Sequence, residues 1–177
     1  YEPVAENPYL LDFYADMPRW AFHSQLFFLT HRVQSHRALM DDPSSVVQDR
    51  SIYEDACVFA RNLYEQGNMA KRDWETYQEL YKTLIGLLPA PDLVVYLKAS
   101  VPTLKKRIEK RGRAFEASIS DEYLEGLNHL YEEWIESFDL APILVVPCDR
   151  LDFVEESKDL RTIVSTLKER LRDKQGM

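Results

Sequence analysis

Acidic and basic side chains cluster in residues 46–60, VVQDRSIYEDACVFA, where an apolar run gives way to a helical pattern. Asp49 and Arg50 follow that run, and Glu2 holds a similar position, where the first residues resemble the end of another strand. An arginine beside carboxylates keeps them ionised and adds a donor for a substrate or phosphate oxygen. The pattern therefore predicts an acid–base site. The alternative is structural, with Asp49 or Ser51 capping a helix and Arg50 pairing only with Asp49.

Positive charge is concentrated in residues 104–116, LKKRIEKRGRAFE, although the chain carries a net charge of −8. Arg107 and Arg111 are four residues apart and so share one face of a helix, which Gly112 is predicted to end. Arg113 follows at once. Because guanidinium groups present a fork of donors, this pattern suits phosphate oxygens. A solvated charged helix face is the other interpretation.

An amide and a guanidinium lie seven residues apart on a largely apolar helix that is predicted to begin near Pro18. Two helical turns separate Gln25 from Arg32, so both lie on one face, close to Phe22 and Leu29. Apolar walls with a few placed polar groups suit a flat, polar-edged ring such as a nucleobase. The alternative is a core helix with both polar residues at its margins.

The composition limits the class of protein. A chain of 177 residues with 45% hydrophobic residues suits one globular domain, residues 1–177, and its acidity argues against binding a nucleic acid polymer. No apolar run approaches the ~18 residues of a membrane span, and no signal peptide opens the chain. Cys57 and Cys148 are far apart in sequence, which favours free thiols in a cytoplasmic protein.

Three apolar runs are predicted to be buried parallel strands, at 46–48, 93–97 and 143–146. Long helical patterns separate them, so the chain is predicted to have an α/β fold with helices on both faces of a parallel sheet. Ligands bind beyond the carboxyl ends of such strands. The helices are predicted at 18–40, from 51 or 52 to about 67, at 70–87, at 102–111, from Ser120 onward, and at 155–172.

Taken in order, these stretches resemble the deoxyribonucleoside kinases, in particular the bacterial deoxyadenosine/deoxyguanosine kinase branch. The resemblance runs from Tyr1 to near the C-terminus. It rests on EPV at 2–4, the spacing of Gln25 and Arg32, DRS at 49–51, RGR at 111–113 and DRLDF at 149–153. It implies a P-loop-kinase-like three-layer α/β/α fold with an arginine-rich lid at about 107–118.

The resemblance also implies a role for each candidate residue. On the acceptor side, Glu2 would be the base for the nucleoside 5′-hydroxyl, Arg50 would orient Glu2 and contact phosphate, and Phe28 would narrow the pocket. The other acceptor-side residues are Tyr14 and Glu116 at the sugar 3′-hydroxyl and Gln25, Arg32 and Asp55 at the base.

On the donor side, the resemblance implies that lid arginines close over the phosphates of ATP and stabilise the charge that develops during transfer. These arginines are Arg107, Arg111 and Arg113. Asp149 and Phe153 belong to the loop expected to touch the donor base. Asp49 is expected to help hold Mg²⁺, directly or through water.

The implied reaction is transfer of the ATP γ-phosphate to the 5′-hydroxyl of a deoxyribonucleoside. The charged residues Arg32 and Asp55 favour a purine, deoxyguanosine or deoxyadenosine, over thymidine. A homodimer is also implied, with helices 18–40 and 70–87 as candidates. On helix 70–87, an apolar stripe at helical spacing could form the dimer interface or could equally be intramolecular core. The stripe consists of Trp74, Tyr77, Tyr81 and Leu84.

The family's P-loop, G-x-x-x-x-G-K-[ST], has no counterpart among the five glycines of this sequence. We expect the given chain to lack the strand, P-loop and helix that precede the EPV segment. If that segment is truly missing, a non-catalytic nucleotide-binding module is the alternative. A deoxynucleoside monophosphate kinase of the same fold is another, but it needs basic contacts beyond Arg19 and Arg37 for the phosphate of its acceptor.

Overall fold

The computed structural model describes residues 6–40, 44–113, 116 and 119–175, with side chains described as far as residue 172. Within these ranges the chain is mostly helical, with two short strands. The helices are α1 Leu10–Ala15, α2 Met17–Met40, α3 Ile52–Glu54, the π-helical segment Asp55–Ala60, α4 Arg61–Glu65, α5 Lys71–Ile85, α6 Val101–Arg111, α7 Asp121–Ser137 and α8 Ser157–Gln175. The strands are β1 Val94–Lys98 and β2 Ile143–Pro147.

The first of two compact units comprises Tyr1–Pro89 and Glu125–Trp134. Its core forms where α2, the π-helical segment and α5 pack together through buried apolar side chains. Among the fully buried apolar side chains of the unit, the largest are Leu29, Ile52, Val58, Leu63, Tyr77 and Leu130.

The aromatic stripe of α5 belongs largely to this core. Tyr77 is 0% exposed, and Trp74 stacks between Tyr77 and Tyr64 at centroid distances of 6.2 and 5.4 Å. Tyr81 approaches the Cys57 thiol at 3.9 Å. Because the rings are used inside the unit, they supply packing energy to the monomer.

Helical structure from Ile52 to Glu65 confirms the predicted helix, and Ser51 is its N-cap, also as predicted. The Ser51 hydroxyl accepts from the Glu54 amide, and the Glu54 carboxylate accepts from the Ser51 amide, which together form a capping box. The sequence did not indicate the π-helical turn that begins at Asp55. Such insertions are frequent at functional sites because they redirect side chains.

The second unit comprises Ala90–Leu124 and Ile135–Met177. It contains the parallel pair β1–β2, in register from Val94 opposite Ile143 to Lys98 opposite Pro147. Both strands were predicted. One face of the pair packs on leucine and isoleucine side chains from α6 and α8, in a core cluster built on Ala99, Leu144, Val146 and Cys148. An α/β fold with a parallel sheet is thus confirmed.

Residues 46–48 are not a strand, contrary to the prediction. They have no regular structure, and Val47 is 92% exposed. A strand requires a hydrogen-bonded neighbour, and in the described part of the chain only β1 and β2 pair with each other. Two adjacent valines raise β propensity but cannot supply that neighbour. The companion strand end predicted before Glu2 lies outside the described residues.

Two further predictions agree with the structure. Helix α6 ends at Arg111, and Gly112 has a φ of 67°, the left-handed conformation that a glycine adopts without a steric cost. Cys57 and Cys148 are free thiols. Across the described residues, no helix is both long enough and apolar enough to traverse a bilayer.

Candidate active site

A buried ion pair joins α2 to the start of the π-helical segment. Arg32 Nε donates to Asp55 Oδ2 at 3.1 Å, and the two residues are only 4% and 3% exposed. Burial raises the pKa of Asp55, and the Arg32 charge only partly opposes that rise. The pair is therefore costly to desolvate, which makes it weak evidence for stability and a candidate for function.

Gln25 lies two turns before Arg32 on α2 and is 5% exposed. Its Oε1 atom has no hydrogen-bond partner among the described residues. Buried polar atoms are nearly always paired, so an orphaned amide oxygen calls for an explanation. A ligand that donates a hydrogen bond to Gln25 would supply one, and the predicted contact of Gln25 with the base remains a prediction.

Arg50 is an exposed residue with an unusual backbone, since its φ of 61° lies in the left-handed region. Its guanidinium lies over the Phe59 ring, 4.5 Å from the centroid, in a cation–π contact. The carbonyl of the preceding residue, Asp49, accepts from Arg32 Nη1 at 2.9 Å. The residue predicted to touch phosphate is thus next to the residues predicted to read the base.

Two residues of this region were missed by the sequence reasoning. Glu54 accepts hydrogen bonds from the Ser51 amide at 2.7 Å and from the Tyr131 hydroxyl at 3.1 Å. The spacing Ser-x-x-Glu at Ser51 was a signal for Glu54. No local signal indicated Tyr131, because it is 77 positions away in the sequence.

Tyr14 and Phe28 are half-buried in the same unit. The Tyr14 ring meets Phe13 edge-on at 5.2 Å, and the Phe28 ring meets Phe27 edge-on at 6.0 Å. Their predicted contacts with the sugar and the base remain predictions. Glu2, the predicted catalytic base, lies outside the described residues.

The arginines of the predicted lid belong to the second unit, where they contact Glu116, whose predicted contact with the sugar 3′-hydroxyl remains a prediction. Arg111 contacts Glu116 Oε2 through Nε at 3.0 Å and through Nη2 at 2.7 Å. Arg113 Nη1 lies 3.6 Å from Glu116 Oε1. Glu116 therefore neutralises the arginines predicted to bind phosphate. Four other residues of the predicted lid, 114, 115, 117 and 118, lie outside the described residues.

Arg107 holds the loop after β2, since its Nη2 donates to the carbonyl of Cys148 at 2.8 Å and to that of Leu151 at 3.1 Å. Its guanidinium also lies 5.7 Å from the centre of the Phe153 ring. This loop is the one predicted to touch the donor base. Arg107 thus joins the arginine-rich helix to the loop through backbone contacts.

Asp149 connects the same loop to the start of α6. Its Oδ1 accepts from the Ser100 amide at 2.9 Å and from the Ser100 hydroxyl at 3.0 Å. The hydrogen bond from the Ser100 amide is the main cause that lowers the pKa of Asp149. Ser100 is the N-cap of α6, so Asp149 also complements the positive end of that helix.

The carboxylates near Arg50 fit a magnesium ion that is bound mainly by phosphate oxygens. Among the described residues there is no cluster of three or more His, Cys, Asp or Glu side chains that could bind a metal. Mg²⁺ in kinases needs only one or two carboxylates, because phosphate oxygens and waters complete its octahedron. The exposed Asp49 carboxylate, next to Arg50, meets that requirement.

Comparison with known proteins matches this chain to deoxynucleoside kinases. The family model described as deoxynucleoside kinase matches residues 1–172. The deoxyadenosine/deoxycytidine kinase of Bacillus subtilis (strain 168) is 35% identical over 98% of this chain and 81% of its own length. The deoxyguanosine kinase of the same organism is 34% identical over 95% of this chain and 82% of its own length.

Solved structures agree with the sequence comparisons. The deoxyadenosine kinase from M. mycoides with the product dCMP and a flexible dCDP bound superposes with a TM-score of 0.84 at 33% identity. The match covers 96% of this chain and 84% of that one. The same enzyme with bound dATP gives a TM-score of 0.81 at 34% identity, covering 95% and 84% of the two chains.

Proposed function

The chain belongs to the deoxynucleoside kinase family, and on that premise we propose that it transfers the γ-phosphate of ATP to the 5′-hydroxyl of a purine deoxyribonucleoside. It is an enzyme, an ATP-dependent phosphotransferase that acts on deoxynucleosides. The choice of base and the role of each residue are the finer part of the proposal.

The observation that carries the preference for a purine is the buried pair Arg32–Asp55, with the unpartnered Gln25 oxygen on the same helix. A carboxylate accepts from an exocyclic amino group, and a guanidinium donates to purine N7 or O6. The amide of Gln25 both donates and accepts, so it can pair with a base edge. A buried charge pair offers no apolar surface on which the methyl group of thymine could pack.

The chemistry assigned to the site is phosphoryl transfer, in which positioning and charge stabilisation dominate. Glu2 accepts the proton of the 5′-hydroxyl, and Arg50 donates to an oxygen of the transferred group. Arg111 and Arg113 release Glu116 and bind the phosphates of the donor in its place. Asp49 would hold Mg²⁺ together with ATP, and the ion would neutralise phosphate charge.

Parallel assays decide the substrate. The protein, expressed from its complete reading frame, is supplied with ATP, Mg²⁺ and one of deoxyadenosine, deoxyguanosine, deoxycytidine or thymidine, and the monophosphate formed is quantified. We expect kcat/KM for a purine deoxynucleoside to exceed that for thymidine by at least ~100-fold, because thymidine would leave buried polar groups of the site unpaired. A preference for thymidine, or activity only on monophosphates, contradicts the proposal.

The protein is further proposed to be a cytoplasmic homodimer that pairs along α5. Leu80, one turn after the buried Tyr77 on α5, is 36% exposed, and Leu87, just beyond the end of that helix, is 73% exposed. Neighbouring exposed apolar side chains of this kind support a protein interface here.

The dimer is tested by light scattering after size exclusion. Leu80→Glu is expected to halve the measured mass, because a carboxylate in an apolar interface is costly to desolvate. Leu160→Glu on α8, which also replaces an exposed leucine, is the matched control and is expected to leave the mass unchanged. A wild-type protein with the mass of one chain contradicts the proposal.

A further inference from the structure

The backbone at Arg50 has a conformation that arginine rarely adopts. Its φ of 61° lies where a side chain crowds the neighbouring carbonyl, and it is the one described non-glycine residue with a positive φ. Such residues persist only where the surrounding structure fixes them, and they concentrate at functional sites. The contacts that fix Arg50 therefore bear on its function.

The buried Arg32 side chain and the half-buried Glu54 side chain hold the peptide groups on both sides of Arg50. On one side, the Asp49 carbonyl accepts from Arg32 Nη1 at 2.9 Å. On the other, the Ser51 amide donates to Glu54 Oε2 at 2.7 Å, and the Ser51 hydroxyl lies 3.2 Å from the same oxygen. Arg32 is itself anchored by Asp55.

Tyr131, on the part of α7 that lies in the first unit, supports Arg50 in two ways. Its hydroxyl donates to Glu54 Oε1 at 3.1 Å, so that both carboxylate oxygens are engaged. Its ring meets the Phe59 ring edge-on at 6.2 Å and 90°, and the Phe59 ring lies under the Arg50 guanidinium. One side chain thus braces the backbone through Glu54 and the guanidinium through Phe59.

We propose that Tyr131 and Glu54 are positioning residues for phosphoryl transfer, which hold the Arg50 guanidinium where it meets the transferred group. The inference rests on the proposed role of Arg50 in catalysis. Neither Tyr131 nor Glu54 needs to touch the substrate. Misplacement of a charged donor by a fraction of an ångström is enough to reduce turnover.

A pH profile distinguishes positioning from a merely structural role. Burial raises the pKa of Glu54, whereas the Ser51 amide, the Arg50 charge and the Tyr131 hydroxyl lower it and the Asp55 charge raises it. Only the ionised carboxylate accepts from Ser51 and Tyr131 together, so activity is lost as pH falls through this pKa. Removing the Tyr131 hydroxyl raises the pKa further and moves the acid limb of the kcat profile to higher pH.

The experiment compares Tyr131→Phe with Tyr64→Phe. Tyr64 also stacks on an aromatic ring, that of Trp74, but its hydroxyl bonds to no described residue. We expect Tyr131→Phe to lower kcat about tenfold, the effect of one hydrogen bond to a charged group, with the nucleoside KM nearly unchanged. The acid limb of its kcat profile is expected to move to higher pH. Tyr64→Phe is expected to match the wild type in kcat and in the position of the acid limb.

Two further variants separate the possible failures. The Glu54→Gln variant lacks the Glu54 titration, so any acid limb that remains comes from another group, such as Glu2, and adding Tyr131→Phe is expected not to move it. A limb that still moves, or a Tyr131→Phe enzyme identical to Tyr64→Phe, overturns the inference alone. If Arg50→Lys retains full kcat, the proposed role of Arg50 fails, and this inference fails with it.

Discussion

Asp55→Asn is expected to lower the free energy of unfolding by about 3 kcal/mol, because it leaves the Arg32 charge buried without a counter-ion. The replacement has nearly the same shape as aspartate, so the loss reports the missing charge and not a cavity. Urea denaturation followed by circular dichroism measures the change. The same variant is expected to lose most of its activity on purine deoxynucleosides, since Asp55 is a proposed base contact.

An exposed ion pair in the same unit is the matched control. Arg61 Nε lies 2.7 Å from Glu65 Oε1, but both side chains are more than a third exposed. Glu65→Gln is expected to change stability by less than about 1 kcal/mol, because solvent screens the pair and salt weakens it. Equal losses from Asp55→Asn and Glu65→Gln contradict the prediction.

Replacing both partners of the buried pair separates stability from function. Arg32→Met with Asp55→Leu removes both charges, and apolar replacement of a buried ion pair is often neutral or stabilising. We therefore expect the double variant to be more stable than Asp55→Asn and yet inactive on purine deoxynucleosides. A stable double variant that keeps purine activity removes Arg32 and Asp55 from base recognition.

Glu2→Gln is expected to lower kcat by about 10²–10⁴-fold, the usual contribution of a positioned general base. The amide keeps the size of the side chain but does not accept a proton at neutral pH. Nucleoside affinity, measured separately by calorimetry, is expected to change little. This split is the mark of an interaction made mainly in the transition state.

The matched control for Glu2 is Glu6→Gln, an exposed glutamate four residues further on. It is expected to retain the wild-type kcat. If Glu2→Gln weakens nucleoside binding as much as it lowers kcat, Glu2 binds the substrate and another group takes the proton. If both variants remain fully active, Glu2 has no role in the reaction.

Local chemistry was enough to predict several features of the fold. Alternating helical patterns and the apolar runs before Lys98 and Pro147 predicted α/β structure with two parallel strands. Ser51 and Gly112 were identified as the start and end of helices because a hydroxyl cap and a left-handed glycine act within a few residues. The same local reasoning failed at 46–48, where a partner strand would have been needed.

The sequence also singled out Arg32, Asp55 and Arg50 as candidates, through their spacing and their resemblance to one enzyme family. It could not show that Arg32 and Asp55 pair directly, because helix spacing alone does not place one helix against another. It also could not indicate that Glu116 neutralises the arginines of the lid.

Only the tertiary structure revealed what holds Arg50 in place. Tyr131 reaches Glu54 across 77 positions of sequence, and the left-handed turn at Arg50 follows no residue preference. Caps, charge runs and helix faces are local, so the sequence by itself determines them. Long-range hydrogen bonds and ring contacts exist only once separate helices pack, and here they decide where a proposed catalytic guanidinium lies.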